Sequence, residues 1–168
     1  METILLDTDR TFTTLIQAVS SFDEQQLNET PFSGSWTAGQ VAQHLILANT
    51  GFIEVMQGPV KDADREPGQQ LGQIRADFLN FETKMKSPDF ILPLPIDYSK
   101  QRQLGTLENI KSSLMNLIET MELDKICLTF ELPGYGFLTR FEAIYFVNYH
   151  SQRHTYQLNN IYHHLSEE

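Results

Sequence analysis

The chain has 168 residues, the size of one domain that closes a substantial core without staples, and a single domain over 1–168 is expected. Twelve Lys and Arg against 22 Asp and Glu leave a net charge of −10, which repels nucleic-acid phosphates and anionic membrane surfaces and sets both aside as partners. A lone cysteine, Cys127, rules out an intramolecular disulfide and a multi-cysteine zinc cluster, and points to a reducing compartment.

Met1 to Phe12 carries Glu2, Asp7 and Asp9 where a signal peptide needs a basic end and an unbroken apolar run. No later stretch approaches the roughly 18 apolar residues of a membrane span, so the expected location is the cytoplasm. Ile4, Leu5, Thr8, Phe12, Leu15, Ile16 and Val19 recur at spacings of three and four and predict a first helix, followed by a polar turn from Asp23 to Thr30. Thr37 stands three positions before Gln40 and reads as a capping box, with Trp36 as the apolar residue that staples the entry. A second helix then runs from about Ala38 to Met56, with His44 on the face of Val41, Leu45, Ala48, Phe52 and Val55, and Gly58-Pro59 ends it.

Lys61 to Gly68 alternates acids and bases and reads as an exposed connection with solvated charges. Leu71, Ile74, Phe78, Phe81 and Met85 predict a third helix, broken at Ser87-Pro88. From Asp89 to Gly105 lies a long apolar connection whose Pro93 and Pro95 forbid a regular helix; it serves either as a lid or as a plug over one end of the core. A fourth helix follows from Thr106 as N-cap through Met121. Ile126 to Leu132 is the only plausible strand, with a turn at Pro133-Gly134-Tyr135-Gly136 after it. Thr139 and Glu142 form a second capping box, opening a last helix that continues to about His164. The sum is a helical bundle of four main helices, with a fifth segment packed alongside or counted within it.

His150 and His154 stand at i, i+4 on the last helix. At 100° per residue, the positions within about 80° of His150 are Ala143, Phe146, Val147, His154, Gln157, Leu158 and Ile161, so the histidine face is the core face. His44, on the dry face of another helix, is the natural third partner for a divalent ion, and three imidazoles leave a coordination position open for water or substrate. A single buried histidine is more often a hydrogen-bonded core residue, and HxxxH also arises by chance, so the weight rests on all three together. Ser151, Gln152 and Arg153 occupy the space between the pair, which lacks the glutamate of a metalloprotease motif. His163 and His164 read as surface residues, and Cys127 as a packed small hydrophobe. Gln157 can orient the site from outside the ligand set, Asn49 and Asn148 less directly, while Tyr149, Arg153 and Tyr156 point off the central face.

Trp36-Thr37 with His44 seven residues after Thr37, then Pro133-Gly134-Tyr135-Gly136, Thr139 and His150-x-x-x-His154-x-x-Gln157-Leu158, together resemble the DinB/YfiT-like superfamily over roughly Thr3 to Leu165. The resemblance implies an all-α, up-and-down four-helix bundle in which His44, His150 and His154 bind a divalent metal, zinc or nickel. It also implies a metal-dependent enzyme, a thiol S-transferase or hydrolase, with a low-molecular-weight thiol such as bacillithiol or mycothiol as cosubstrate and a small electrophile as substrate. Family members are often homodimers, although no exposed stripe here requires pairing. A metal- or small-ligand-binding protein without turnover, or a scaffold that uses no metal, needs the same three histidines.

Overall fold

A computed structural model describes residues 1–167. Most of the chain is helical: α1 (Glu2–Ser20), α2 (Glu24–Asn28), α3 (Ala38–Gln57), α4 (Leu71–Phe78), α5 (Lys100–Thr120) and α6 (Arg140–Ser166). The four long helices pack as a closed ring, α1 against α5 and α6, and α3 against the same two. Phe12, Leu15, Val41, Leu45, Leu107, Leu114, Val147 and Leu158 fill the space between them. These are the positions of the three-and-four apolar stripes, so the hydrophobic effect and the helical period select the same inward faces. None of the described helices is long and apolar enough to cross a membrane.

The all-α expectation requires correction. Val60–Lys61 (β1), Ile126–Leu132 (β2) and Gly136–Thr139 (β3) form an antiparallel sheet in the order β1-β2-β3. Its two outer strands are short, and a register shift between Ile126 and Glu131 interrupts the pairing of β2 with β3, so neither leaves a period-two pattern to read. Gly134 and Gly136 adopt φ of 88° and 74° in the turn between β2 and β3, a conformation that side-chain-bearing residues rarely take.

Three boundaries also differ from expectation. The polar turn after α1 closes into α2, because Asp23 and Gln26 make a reciprocal capping box. Helix α4 stops at Phe78 rather than Met85, since the Arg153 guanidinium, from α6, takes the carbonyls of Phe78, Asn80 and Thr83. Ser99, not Thr106, caps α5, whose first turn is too polar to register as an apolar stripe. The connection between the two helices therefore begins and ends earlier than expected, spanning 79–99, and it contains a 3-10 turn at Asp89–Ile91.

The charged segment before α4 is not wholly solvated. Arg65 places two nitrogens on the Glu142 carboxylate at 2.6 and 2.7 Å and a third bond on the carbonyl of Phe137. Glu142 is fully buried and also accepts from the backbone N–H groups of Gln70 and Thr139. One carboxylate thus fixes the start of α6, the end of β3 and the approach to α4. Arg140 adds a second tie, donating from Nε to the Met56 carbonyl at the end of α3 and from a terminal nitrogen to the carbonyl of Glu122. Replacing Glu142 with Gln leaves Arg65 without its counter-charge, and a loss of about 3 kcal/mol of folding stability is expected by chemical denaturation. A loss below about 1 kcal/mol would show that this pin is dispensable.

Candidate metal centre

Thr37 and Gln40 satisfy each other at the start of α3, fixing the helical phase that points His44 inward two turns later. Thr139 and Glu142 do the same for α6, about three turns before His150. His44 and His150 are buried, at 1% and 7% exposure, and His154 is half-buried. The structure brings the three predicted histidines together: Nε2 of His150 lies 3.1 Å from Nε2 of His44 and 3.1 Å from Nε2 of His154. One nitrogen from each ring falls within 4.8 Å of the others, a cluster that could hold a metal ion.

The outer nitrogens decide the protonation pattern. His44 Nδ1 faces the Ile91 carbonyl at 2.9 Å, and a carbonyl only accepts, so this nitrogen carries the proton. His154 Nδ1 donates likewise to Oε1 of Gln157 at 2.8 Å. Both Nε2 atoms then present lone pairs to His150. A proton on His150 Nε2 satisfies one of them at most; a proton on His150 Nδ1 sits on a buried atom with no partner. Either tautomer leaves at least one lone pair facing another without a proton between them. A cation at the convergence of the three Nε2 atoms removes the conflict, and the outer contacts of His44 and His154 are the kind that orient metal-bound imidazoles. Three imidazoles suit zinc, nickel, copper or iron.

Electrostatics favours the neutral, ligand form of each ring. Burial lowers the pKa of His154 to about 3, reinforced by the neighbouring His44 and Arg153 and opposed by the bond to Gln157. Burial also carries His150 well below the usual histidine range, with His154, His44 and Arg153 adding to the effect. His44 is lowered by burial, against the Ile91 carbonyl.

Gln157 stands where the spacing predicts, bonded to a histidine ring. Asn148 and Asn49 do not reach the rings: their amides donate to Thr8 Oγ1 and Ser151 Oγ, joining α6 to α1 and α3. His163 and His164 are exposed, as expected. Cys127 is buried in β2, and burial raises its pKa to about 11, which keeps it a thiol. Arg153 does more than pack on the surface, since it holds the segment after α4 by its carbonyls. Trp36 is also more than a staple: its ring centre lies 5.3 Å from that of His44.

The ring cluster opens into a chamber of about 990 Å³ between α3, α4, β2 and the connection through Ile91. Spacing along a helix carries no trace of this chamber, because α6 and several elements distant from it in sequence supply its walls. On its far side the Tyr135 hydroxyl donates to the Asp77 carboxylate, tying the β2–β3 turn to α4. This bond and the one from Gln73 hold Asp77 below the usual carboxylate range.

In an unfolded chain these histidines take up protons near pH 6.5, whereas in the fold His154 resists protonation down to about 3. Across that interval the unfolded state binds more protons, so stability of the metal-free protein falls as pH falls. Its melting temperature is expected to drop from about pH 7 to about pH 5, and His154→Gln to flatten the slope, in scanning calorimetry. An identical slope in the variant would mean that this ring does not resist protons in the fold.

A family model of the DinB superfamily matches residues 7–158. No curated protein and no solved structure matches the chain. With nearly all of its length, the capping boxes of α3 and α6 and all three converging histidines inside the matched region, the chain belongs to the DinB superfamily.

Proposed function

We propose that the protein is a metal-dependent enzyme that joins a low-molecular-weight thiol of the bacillithiol type to an electrophilic small molecule. His44, His150 and His154 hold the ion, zinc or nickel, and Gln157 orients His154 from behind. The observation that carries this reading is the convergence of three Nε2 atoms, two from buried rings and one from a half-buried ring, at the head of an open chamber, in a superfamily whose members are often metal-dependent. The four long helices then serve as the family's up-and-down bundle. The lone, buried cysteine suits a cytoplasmic setting and does not compete as a nucleophile.

When bound, the ion supplies Lewis acidity that lowers the pKa of a coordinated thiol toward neutrality. The protein's own groups do the rest. Ile91 and Gln157 hold two rings with Nε2 inward, so no reorientation is required when a ligand arrives. Phe146 stacks on His150 with ring centres 5.4 Å apart and shields it from water. In the overall reaction the thiol sulfur would bond to the electrophilic carbon while the bond to the leaving group or within a strained ring breaks, and the thiol proton would pass through water to the departing group or the opened-ring oxygen.

Protein purified without chelators is expected to carry about one ion per chain by elemental analysis, and His150→Ala to lose it while keeping its helical circular dichroism. Gln157→Leu is expected to weaken metal affinity roughly 10- to 100-fold in a competition titration with a chromogenic chelator. Incubation with an epoxide or chlorinated aromatic and a panel of small thiols should consume thiol, with the activity absent in His150→Ala. Stoichiometric metal with no thiol consumed would overturn the transferase reading and leave a metal-binding protein without turnover.

A further inference from the structure

The chamber beside the histidines has one unusual wall. Phe90, 69% exposed at the mouth, lies 6.1 Å from Phe130 between ring centres; Phe130 lies 5.7 Å from Phe52, and Phe52 lies 4.7 Å from Phe146. Phe146 stacks on His150, and Phe78 joins this end of the series at 4.8 Å from Phe146 and 6.1 Å from His150. An unbroken series of rings therefore runs from solvent to the buried histidine. Phe78 and Phe130 are only half-buried, so each presents uncovered ring surface although both sit in a packed aromatic cluster.

Four charged side chains line the chamber, two of them committed to other partners and two exposed to solvent. Asp77 accepts from Tyr135 and Gln73, and Arg153 spends its terminal nitrogens on three main-chain carbonyls. Glu54 and Lys86 are exposed. A charged substrate that stacks on the phenylalanines gives up hydration there, and the solvent-screened charges of Glu54 and Lys86 return little of it, a cost that uncharged apolar molecules do not meet. A volume of about 990 Å³ is at the upper end of the range for sites that enclose a drug-sized ligand, and mainly apolar walls are what such sites have.

From these observations we infer that the chamber binds an uncharged molecule with a flat aromatic body, inserted along the phenylalanine series with its reactive end toward the three histidines. The inference rests on the reading above for the word substrate, but not for binding. The polar thiol is left to approach from the open side, with its sulfur alone reaching the histidines.

The test is isothermal titration of the protein as purified with 2-naphthol and with naphthalene-2-sulfonate, which share a ring system and differ in charge. Binding of 2-naphthol at least about tenfold tighter than the sulfonate supports the inference, and Phe90→Ser should weaken it about threefold to tenfold. Phe130→Glu, which sets a carboxylate among the rings, should weaken it more than about tenfold with metal content and helical circular dichroism retained. Equal or tighter binding of the sulfonate would overturn the inference. Absence of binding by 2-naphthol, or binding insensitive to both variants, would overturn it as well. The two readings fail separately: naphthol binding without thiol consumption ends the transferase alone, whereas thiol consumed only with small polar electrophiles and no naphthol binding ends this inference alone.

Discussion

Three ring nitrogens facing one another at the head of a chamber place opposed demands on a fold, because lone pairs held within hydrogen-bond distance repel unless a proton or a cation lies between them. The structure holds them there with rigid parts. Two arrive on a helix of 27 residues whose first turn is pinned by Glu142, Arg65 and Arg140, and the third on a helix of 20 residues with its own capping box. Such supports let the scaffold pre-form a site whose geometry an unsupported cluster would relax away. Pre-formation matters for affinity, since a ligand set that is already in place does not have to be ordered at the moment of binding.

Helix α6 links the site to its surroundings. Its inward face carries His150, His154 and Phe146, and its flank carries Arg153, which reaches across to the carbonyls that follow α4. The same helix that presents the histidines thus shapes one side of the chamber in front of them. Tyr135 and Asp77 close the far side by joining the β2–β3 turn to α4. Wall and site are coupled through short, specific contacts rather than through general compactness.

The long helices were readable in the chain because their apolar stripes repeat over several turns, and the two capping boxes marked α3 and α6 at their first residues. The juxtaposition of His44 with the other pair was accessible for a related reason: all three fall on core-facing positions of helices that pack together. What stayed hidden depends on partners distant in sequence. Phe78 ends its helix because of a guanidinium 75 positions later, and Arg65 finds its carboxylate 77 positions away. No local pattern encodes either. Strand β1 has two residues, too few for any alternation, and the apolar connection before α5 gave no sign that one of its carbonyls would meet an imidazole.

That carbonyl belongs to Ile91, and it is main chain. A main-chain acceptor survives every substitution at its own position that keeps the turn, so the residue at 91 can be exchanged for a larger, smaller or more polar one without unseating His44. Ile91 also lines the chamber. Evolution, or an engineer, is thereby free to recut the cavity at this point while the imidazole behind it stays where it was, and diversity of ligand preference need not come at the expense of the shared chemistry.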